Sequence, residues 1–324
     1  MTYRIVLVLV GFHALFFHGC AENTAYRPAL TGVSFSSPDD AWVMTRDHKL
    51  HHLSSRGDFA TISELPSQIS AMDFSESSRA YVVDSDWKVW RFDGAHWSIA
   101  GRNYSNKFDP VTPSSVSFAD ENIGWVRTLE PLFLTEDGGK TWRQTLVTGP
   151  GEVVGLFVAG RDTVYLYGQG GETRRSNDRG RTWDSVDIGL HNDITAFACR
   201  KNYPDSCWIG TNEGEISIIS GTTRRLVTVA VGQPEFVVSA IFLSDRDDAL
   251  VTGFSHSRDS GTAADGFAYM TRDDGKTWTP IPVPENARFQ KVAAFGETLW
   301  LASDSAIYRS TDSGVTWKTL IDLH

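Results

Sequence analysis

The chain has 324 residues, of which 41% are hydrophobic and 22% charged, values close to those of an average soluble protein. Its formal net charge of −10 argues against a nucleic-acid partner, because a non-specific nucleic-acid binder needs a basic face. Three cysteines are too few for a disulfide-dense small fold or a four-cysteine zinc site. The length alone suggests two domains, and the one unusual count is that of tryptophan, at 11.

The first 20 residues have the features of an export signal. Arg4 precedes an apolar run over residues 5–17. This run is too short to cross a bilayer, which takes a helix of about 20 residues, and it fits the apolar part of a secretory signal. We therefore expect residues 1–20 to be a signal peptide and residues 21–29 to be a linker.

Two cleavage sites are compatible with this signal. In the first, Cys20 belongs to a poor version of the bacterial lipoprotein box, with the small residue Gly19 before it, and becomes the lipidated N-terminus. In the second, an ordinary signal peptidase cuts after Ala21. Both readings predict an exported protein. It is either periplasmic or an outer-membrane-anchored lipoprotein, or it is secreted, and an N-terminal lipid is its only contact with a membrane.

A seven-fold repeat indicates the fold. An aromatic residue or leucine followed by a β-branched or aliphatic residue recurs at spacings of 39 to 50 residues. The seven pairs begin at Trp42, Tyr81, Trp125, Tyr165, Trp208, Leu250 and Trp300. Around each pair, short apolar runs alternate at period two between Gly, Asp, Asn and Ser, which predicts four strands per unit and no helices. Such a unit matches a propeller blade.

We therefore predict an all-β fold, a single seven-bladed β-propeller of four-stranded antiparallel blades, over residues 30–322. A ring of blades leaves only short, protected sheet edges, so a second domain is not needed to account for the length. The predicted units are residues 30–66, 68–100, 114–148, 151–189, 192–231, 236–284 and 289–322.

A second motif, S/T-x-D-x-G-x-T-W, occurs four times. Its Asp can accept backbone N–H bonds across a tight turn between the third and fourth strands, its Gly can take a positive φ, and its Trp can bury a large ring between blades. We expect these residues to maintain the structure and to have no catalytic or metal-binding role. They are Asp137, Gly139 and Trp142; Asp178, Gly180 and Trp183; Asp273, Gly275 and Trp278; and Asp312, Gly314 and Trp317.

The four copies resemble the Asp-box (BNR) repeat, which is known from sialidases, some glycanases, sortilin-type receptors and a photosystem II assembly-factor family. The layout of an export signal followed by seven compact blades is most similar to the photosystem II assembly/stability factor-like family, as is the text VSFADENIGWV…TEDGGKTW. The resemblance covers residues 30–322. It implies a non-enzymatic binding or assembly role and supplies no individual functional residue, because one propeller fold serves many functions.

A carbohydrate-binding or glycoside-hydrolysing, sialidase-like propeller is the alternative function. Asp-box sialidases resemble one another in an arginine within an F/Y-R-I-P segment ahead of the first blade, joined by two more arginines that bind the substrate carboxylate. Here residues 26–28 read Tyr-Arg-Pro and lack the residue between Arg27 and proline. The further arginines available for such a clamp are Arg127, Arg174, Arg175, Arg224 and Arg225, and none has a recognisable context. We expect no catalytic residues.

We also expect no cofactor and no metal. His48, His51 and His52 lie near the third strand of the first unit, where alternate side chains point to opposite faces, which makes a three-histidine zinc site awkward. The sequence favours a solvated blade edge for them. Cys199 and Cys207 flank seven residues between the first two strands of the fifth unit. In an oxidising compartment we predict a disulfide between them if the strand register agrees, the alternative being two reduced, buried thiols.

Two long loops mark the expected binding face, residues 101–114 and 255–266, both longer than a hairpin needs. They lie on the face opposite the Asp-Gly-Trp turns. Amphipathic aromatic residues and arginines are favoured at interface hot spots, and long loops are also tolerated as mere insertions. The candidate partner-binding residues are Trp87, Arg102, Tyr104, Lys107, Arg127, His256 and Arg258. The sequence thus predicts a monomeric, exported, non-enzymatic scaffold or assembly factor that binds a protein or peptide, or a glycan through Trp87 or Tyr104 under the alternative.

Overall fold

The structure is a computed structural model. It describes residues 30–323 apart from residues 46, 48, 55–58, 65–68, 77–78, 85, 94–95, 103–112, 129–131, 146–152, 201–202, 229–235, 245, 256–265 and 285–286. The predicted signal, linker and Cys20 lie outside the described residues. The chain forms seven four-stranded antiparallel sheets in a ring, with each blade built from four consecutive strands. The predicted fold class, a seven-bladed β-propeller, is confirmed.

Blades 1 to 7 follow the chain, and each runs from an innermost to an outermost strand. The innermost strands are β1 (Leu30–Ser37), β5 (Ile69–Glu76), β9 (Ser115–Phe118), β13 (Val153–Val158), β17 (Ile194–Arg200), β21 (Phe236–Leu243) and β25 (Lys291–Phe295). The second strands are β2 (Asp40–Thr45), β6 (Arg79–Asp84), β10 (Gly124–Arg127), β14 (Val164–Gly168), β18 (Tyr203–Thr211), β22 (Ala249–Ser255) and β26 (Thr298–Ala302).

The outer half of each blade is more exposed. The third strands are β3 (Lys49–Ser54), β7 (Lys88–Phe92), β11 (Leu132–Thr135), β15 (Thr173–Ser176), β19 (Glu215–Ser220), β23 (Gly266–Thr271) and β27 (Ala306–Ser310). The outermost strands are β4 (Phe59–Glu64), β8 (Trp97–Arg102), β12 (Arg143–Thr145), β16 (Asp184–Ser185), β20 (Thr223–Thr228), β24 (Thr279–Ile281) and β28 (Lys318–Asp322). One 3₁₀ turn, Gln169–Gly171, joins β14 to β15, and no helix in the described ranges is long and apolar enough to span a membrane.

The meander gives the ring two different faces. Successive strands run in opposite directions, so the turns from first to second and from third to fourth strand lie on one side, which we name the turn face. The loops from second to third strand and the links between blades lie on the other side, which we name the connection face. Both long loops predicted to bind a partner join strand ends on the connection face, after β8 and after β22.

The core consists of apolar clusters between neighbouring blades. The repeated aromatic of the second strands is buried in each case where it is Trp or Tyr, and Trp125, Trp208 and Trp300 are fully enclosed. A cluster joins blades 3 and 4 around Trp125, for example, and another joins blades 5 and 6 around Trp208. Because burial of a large side chain is worth about 1.5–3 kcal/mol, the seven repeats stabilise the ring through the spaces between sheets.

Among the described residues the ring closes without a shared strand. Blade 7 consists of β25 to β28 and blade 1 of β1 to β4, so no described strand from the N-terminal part completes the last blade. Across the seam, Phe35 stacks on Trp300 with ring centroids 5.2 Å apart. The N–H of Leu30 donates to the carbonyl of Asp304 at 3.0 Å. The Arg309 side chain donates to the carbonyl of Pro38 at 2.8 Å and pairs with a neighbouring carboxylate. Closure therefore depends on side-chain packing and a few polar links.

The four Asp-Gly-Trp turns share one hydrogen-bond pattern. The Ser or Thr two residues before Asp donates to Asp Oδ1 at 2.7–2.9 Å and accepts the N–H of the turn Gly at 2.7–2.9 Å. The following Thr donates its N–H to Oδ1 at 2.8–2.9 Å and its hydroxyl to Oδ2 at 2.6–2.7 Å. The hydroxyls of Thr277 and Thr316 are the largest cause that lowers the pKa of Asp273 and of Asp312 to about 2. Every carboxylate oxygen is thus engaged within its own turn.

The Gly and Trp of each turn contact the preceding blade. The four glycines have φ between 75 and 90°, which L residues with a side chain rarely adopt. Gly139 faces Val89 of blade 2, and Gly275 faces Trp208 of blade 5. The partly buried turn tryptophans pack on the clusters that join their own blade to the one before it, and these are Trp142, Trp183, Trp278 and Trp317.

The structure contains the predicted disulfide and corrects the expectation for one histidine. The strands of blade 5 extend beyond the cysteines, so Cys199 and Cys207 are directly paired across β17 and β18 and their sulfur atoms are joined as a disulfide. His51 does not lie on a solvated blade edge: β3 has β2 on one side and β4 on the other, and His51 is buried between Thr45 and Thr61, 3.1 Å from each hydroxyl. His52 lies on the opposite face with Asp40, and His48 is outside the described residues. The expectation of a solvated edge was wrong for His51, because β4 pairs along the outer edge of β3 and the imidazole packs between two threonine hydroxyls.

Candidate protein-binding face

The described residues include three of the seven predicted partner-binding residues. Tyr104, Lys107, His256 and Arg258 are outside the described residues. Arg102 ends β8, so its backbone lies at the connection face beside the first long loop. The strand ends that flank both long loops lie on this face. The described residues that bear on binding are therefore Trp87, Arg127 and their neighbours.

Trp87 lies in the turn between β6 and β7, at the connection face. Its φ is 60°, a left-handed conformation that is unusual for a bulky residue. The fully buried Asp84 holds this turn: its carboxylate accepts the N–H of Lys88 at 2.8 Å and the indole N–H of Trp90 at 2.9 Å. The Trp87 ring is partly buried and meets the ring of Phe133 in blade 3 edge-on, with centroids 4.9 Å apart. An aromatic side chain is thus held in a strained backbone conformation on this face.

Arg127 ends β10 but is only 3% exposed. Its guanidinium donates to the carbonyls of Thr128 and Val153 at 3.3 and 3.2 Å, which links blade 3 to blade 4. The enclosed guanidinium thus serves as a hydrogen-bond donor to backbone carbonyls at the boundary between the two blades. We therefore do not include Arg127 in the binding surface proposed below.

The link from blade 6 to blade 7 contributes a feature that the sequence analysis missed. The exposed Arg288 lies over the ring of Phe254, the residue before the second long loop, with its Cζ 4.3 Å from the ring centroid. Beside it, Gln290 donates to Asp304, and burial raises the pKa of Asp304 while the charge of Arg288 lowers it. The sequence could have indicated Arg288, because it lies in a link between two predicted blades. It was overlooked because only the two longest loops were considered.

The arginines considered for a carboxylate clamp bind separate groups of the chain itself. Arg174 pairs with Glu172 at 2.8 Å, and Arg175 pairs with Asp205. Arg224 pairs with Asp187 and Arg225 with Asp274, at 2.5 and 2.8 Å. Arg27 is outside the described residues. Of these arginines, Arg175 and Arg224 line a common groove, and each is paired there with a carboxylate of the chain itself.

Between blades 4 and 5 a polar groove of about 650 Å³ opens. Its lining includes Arg175, Asn177, Asp184, Asp205 and Arg224. Both residues of β16, the short outermost strand of blade 4, line it. Within the described ranges, no three His, Cys, Asp or Glu side chains lie close enough together to hold a metal ion.

No protein-family model matches the chain, and no curated protein matches it by sequence. YCF48 from Cyanidioschyzon merolae is 17% identical, with 80% of this chain and 88% of that chain covered and a TM-score of 0.61. YCF48 bound to D1 peptide is 18% identical, with 79% and 82% covered and a TM-score of 0.58. The GH74 xyloglucanase from Xanthomonas campestris is 12% identical, with 91% and 55% covered and a TM-score of 0.65. At these identities the likeness shows the fold alone, and the chain is a β-propeller.

Proposed function

We propose that this protein is an exported, non-enzymatic scaffold or assembly factor of the cell envelope, which binds a protein or peptide on its connection face. The observation that carries the proposal is the conformation of Trp87. Strained backbone persists only where surrounding structure holds it, and it is concentrated at functional sites. Here a buried carboxylate and a hydrogen-bonded turn hold one of the residue types that dominate interface hot spots.

Two further observations support a protein partner. Arg288 is stacked on Phe254 beside the second long loop, and a stacked guanidinium keeps its in-plane N–H donors available for acceptors on a partner. Among the similar folds, YCF48 has been solved with a D1 peptide bound. We extend peptide binding to this chain because its own connection face combines long loops, aromatic rings and an exposed arginine.

The test uses Trp87→Gly, which separates binding from stability. Glycine removes the ring and relieves the positive φ, which offsets part of the packing lost on Phe133, and a urea unfolding curve checks that the variant is folded. Purified wild type and variant are cross-linked in envelope extract of the native host, and captured proteins are quantified by mass spectrometry. Loss of a hot spot predicts an affinity lower by about 30-fold, the equivalent of about 2 kcal/mol.

Two companion variants complete this experiment. Arg288→Ala is expected to weaken capture of the same partner. Val315→Ala is the matched control, because Val315 is 72% exposed on the opposite, turn face. Unchanged capture by both Trp87→Gly and Arg288→Ala would refute a binding role for the connection face. For export, mass spectrometry of the mature N-terminus distinguishes a lipidated Cys20 from cleavage after Ala21, and an intact Met1 would refute export.

A glycan-binding function is the second candidate, and the polar groove between blades 4 and 5 favours it. Sugar hydroxyls are bound by planar polar side chains, and Arg175, Asn177 and Asp205 line that groove. The expected result is retention on a glycan array that Asn177→Ala abolishes and Trp87→Gly leaves intact. Turnover of a fluorogenic sialoside would instead indicate an enzyme. If the protein shows neither retention on the array nor turnover of the sialoside, this second candidate function is refuted.

A further inference from the structure

Blade 4 has a short outer edge that adjoins the polar groove. Its outermost strand, β16, has two residues, whereas β20 of blade 5 has six. The groove of about 650 Å³ is lined by Ser185 and Asp187 on the side of blade 4, and by Gly221 and Thr222 on the side of blade 5. Its volume falls within the range of about 300–1,000 Å³ that is common for ligand pockets. The sheet edge of blade 4 therefore borders a space large enough for a ligand.

The strand register determines which backbone groups of this edge point outward. The N–H of Val186 donates to the carbonyl of Thr173 on β15 at 2.9 Å, so these two residues form a hydrogen-bonded pair. Hydrogen-bonded and non-hydrogen-bonded pairs alternate along an antiparallel ladder. The N–H and C=O groups of Ser185 and of Asp187 therefore point away from β15. Residues two positions apart are the repeat of such a ladder, so this edge can pair with one further extended chain.

A row of cross-strand neighbours ends at this edge with a carboxylate. Tyr165, Arg175 and Asp184 are directly opposite one another on β14, β15 and β16, so their side chains share one face of the blade. Tyr165 packs in the cluster between blades 4 and 5, so this face is the one that borders the groove. The guanidinium of Arg175 lies over the Tyr165 ring, with its Cζ 5.9 Å from the ring centroid. Asp184 is the exposed outer end of the row.

The charges of the groove favour a basic ligand. Its charged lining residues are Arg175, Arg224, Asp184, Asp187 and Asp205. Arg175 pairs with Asp205, and Arg224 pairs with Asp187 at 2.5 Å. The carboxylate of Asp184 makes no hydrogen bond or ion pair with a described residue, and it leaves the groove with one excess negative charge. A second copy of this chain is disfavoured as the occupant, because edge-to-edge pairing would bring the aspartates of both copies together.

We propose that the outer edge of β16 binds an extended peptide segment that carries a lysine or arginine, and that this segment adds a fifth strand to blade 4. Its backbone pairs with Ser185 and Asp187, and its basic side chain lies opposite Asp184. In this mode of recognition the main-chain hydrogen bonds give affinity and the side-chain positions give specificity. Both walls of the groove lead into turns between third and fourth strands, so the site opens at the rim of the turn face. It is separate from the connection face and goes beyond the function proposed above.

The first experiment separates main-chain pairing from attraction between charges. The probe is a fluorescein-labelled peptide amide of sequence Thr-Val-Lys-Val-Thr, and fluorescence anisotropy measures its affinity. With the lysine opposite Asp184, the two valines donate their N–H groups to β16. We therefore expect saturable binding that is lost when both valines are N-methylated. Replacement of the lysine by glutamate should weaken binding by about five-fold, because like charges then lie opposite each other.

Variants of the protein locate the probe at this edge. Ser185→Pro removes an N–H that the blade itself does not use, and proline is tolerated at such positions of edge strands, so this variant should fold and lose the probe. Ser185→Ala keeps the N–H and is the matched control, which should bind like the wild type. Asp184→Lys should reverse the preference between the lysine and glutamate peptides. Asp247→Lys makes the same charge change in an exposed turn of blade 6 and should leave the preference unchanged.

The outcomes distinguish this proposal from the other functions. Absence of saturable binding, equal binding of the N-methylated peptide, or an unchanged preference in Asp184→Lys overturns it. Retention of sugars that Asn177→Ala abolishes, without binding of the probe, also overturns it and assigns the groove to glycans. Trp87→Gly should bind the probe like the wild type, because Trp87 lies on the connection face. Failure of the strand-pairing proposal therefore leaves the connection-face experiment unaffected, and the reverse also holds.

Discussion

Substitution of the turn glycines by alanine tests whether these turns join neighbouring blades. At Gly180, φ is 81°, and an added Cβ would lie 3.3 Å from the Trp183 ring. The left-handed conformation costs an L residue about 1–2 kcal/mol, and alanine recovers about 0.4–1 kcal/mol from the unfolded chain. We therefore expect Gly180→Ala to lower the free energy of unfolding by about 1 kcal/mol.

Gly314 should be more sensitive because its added Cβ would overlap Ile281 of the preceding blade. Overpacking typically costs about 1–3 kcal/mol more, which gives a total of about 2–4 kcal/mol. Gly160 is the matched control, since nothing lies within 4 Å of its Cβ position and its φ is not left-handed. Urea unfolding followed by tryptophan fluorescence measures all three variants. Equal stability of Gly314→Ala and Gly160→Ala would refute contact between the turn and the preceding blade.

Three further predictions concern charge and cross-linking. The pKa of Asp273 and of Asp312 is lowered to about 2, so these carboxylates stabilise the fold above their ordinary pKa and lose this contribution as the pH falls to about 2. In the double Asp→Asn variant, the melting temperature should therefore depend less steeply on pH between about pH 4 and 2. Burial lowers the pKa of His51, so below about pH 6.5 the unfolded state binds more protons than the folded state and the free energy of unfolding decreases with falling pH. Calorimetry of His51→Gln should show a smaller dependence of stability on pH in this range. An unchanged dependence would contradict the burial of His51. Replacement of Cys199 and Cys207 by serine should cost about 2.5 kcal/mol of unfolding free energy through loop closure, and urea midpoints equal to those of the non-reduced wild type would argue against the cross-link.

The fold was predictable because its signals are local and repeated. Each blade carries a buried aromatic residue or leucine at the same position of its second strand. Four blades carry a turn in which the side-chain hydrogen bonds of the Asp join residues at most four positions apart. Period-two alternation and turn chemistry are properties of short segments, and seven copies make them unmistakable. All 11 tryptophans belong to blades, in the second-strand and turn positions or in blade 2.

The candidate site was less predictable because it depends on contacts between distant segments. Nothing local to Arg127 indicates that the carbonyl of Val153 encloses it. The stacking of Arg288 on Phe254 joins the link between blades 6 and 7 to the end of β22. Sequence could locate the connection face from loop lengths, but the choice of residues on it needed the closed ring.

The seam between blades 1 and 7 has a consequence for how such a protein can be rearranged. No described strand is shared between these two blades, so the stacked pair Phe35 and Trp300 holds them together in the way that aromatic contacts hold other neighbouring blades together. The folded ring should therefore not depend on which blade comes first in the chain. A gene that begins at β17 and rejoins the old ends through a short linker should therefore encode the same seven-bladed ring.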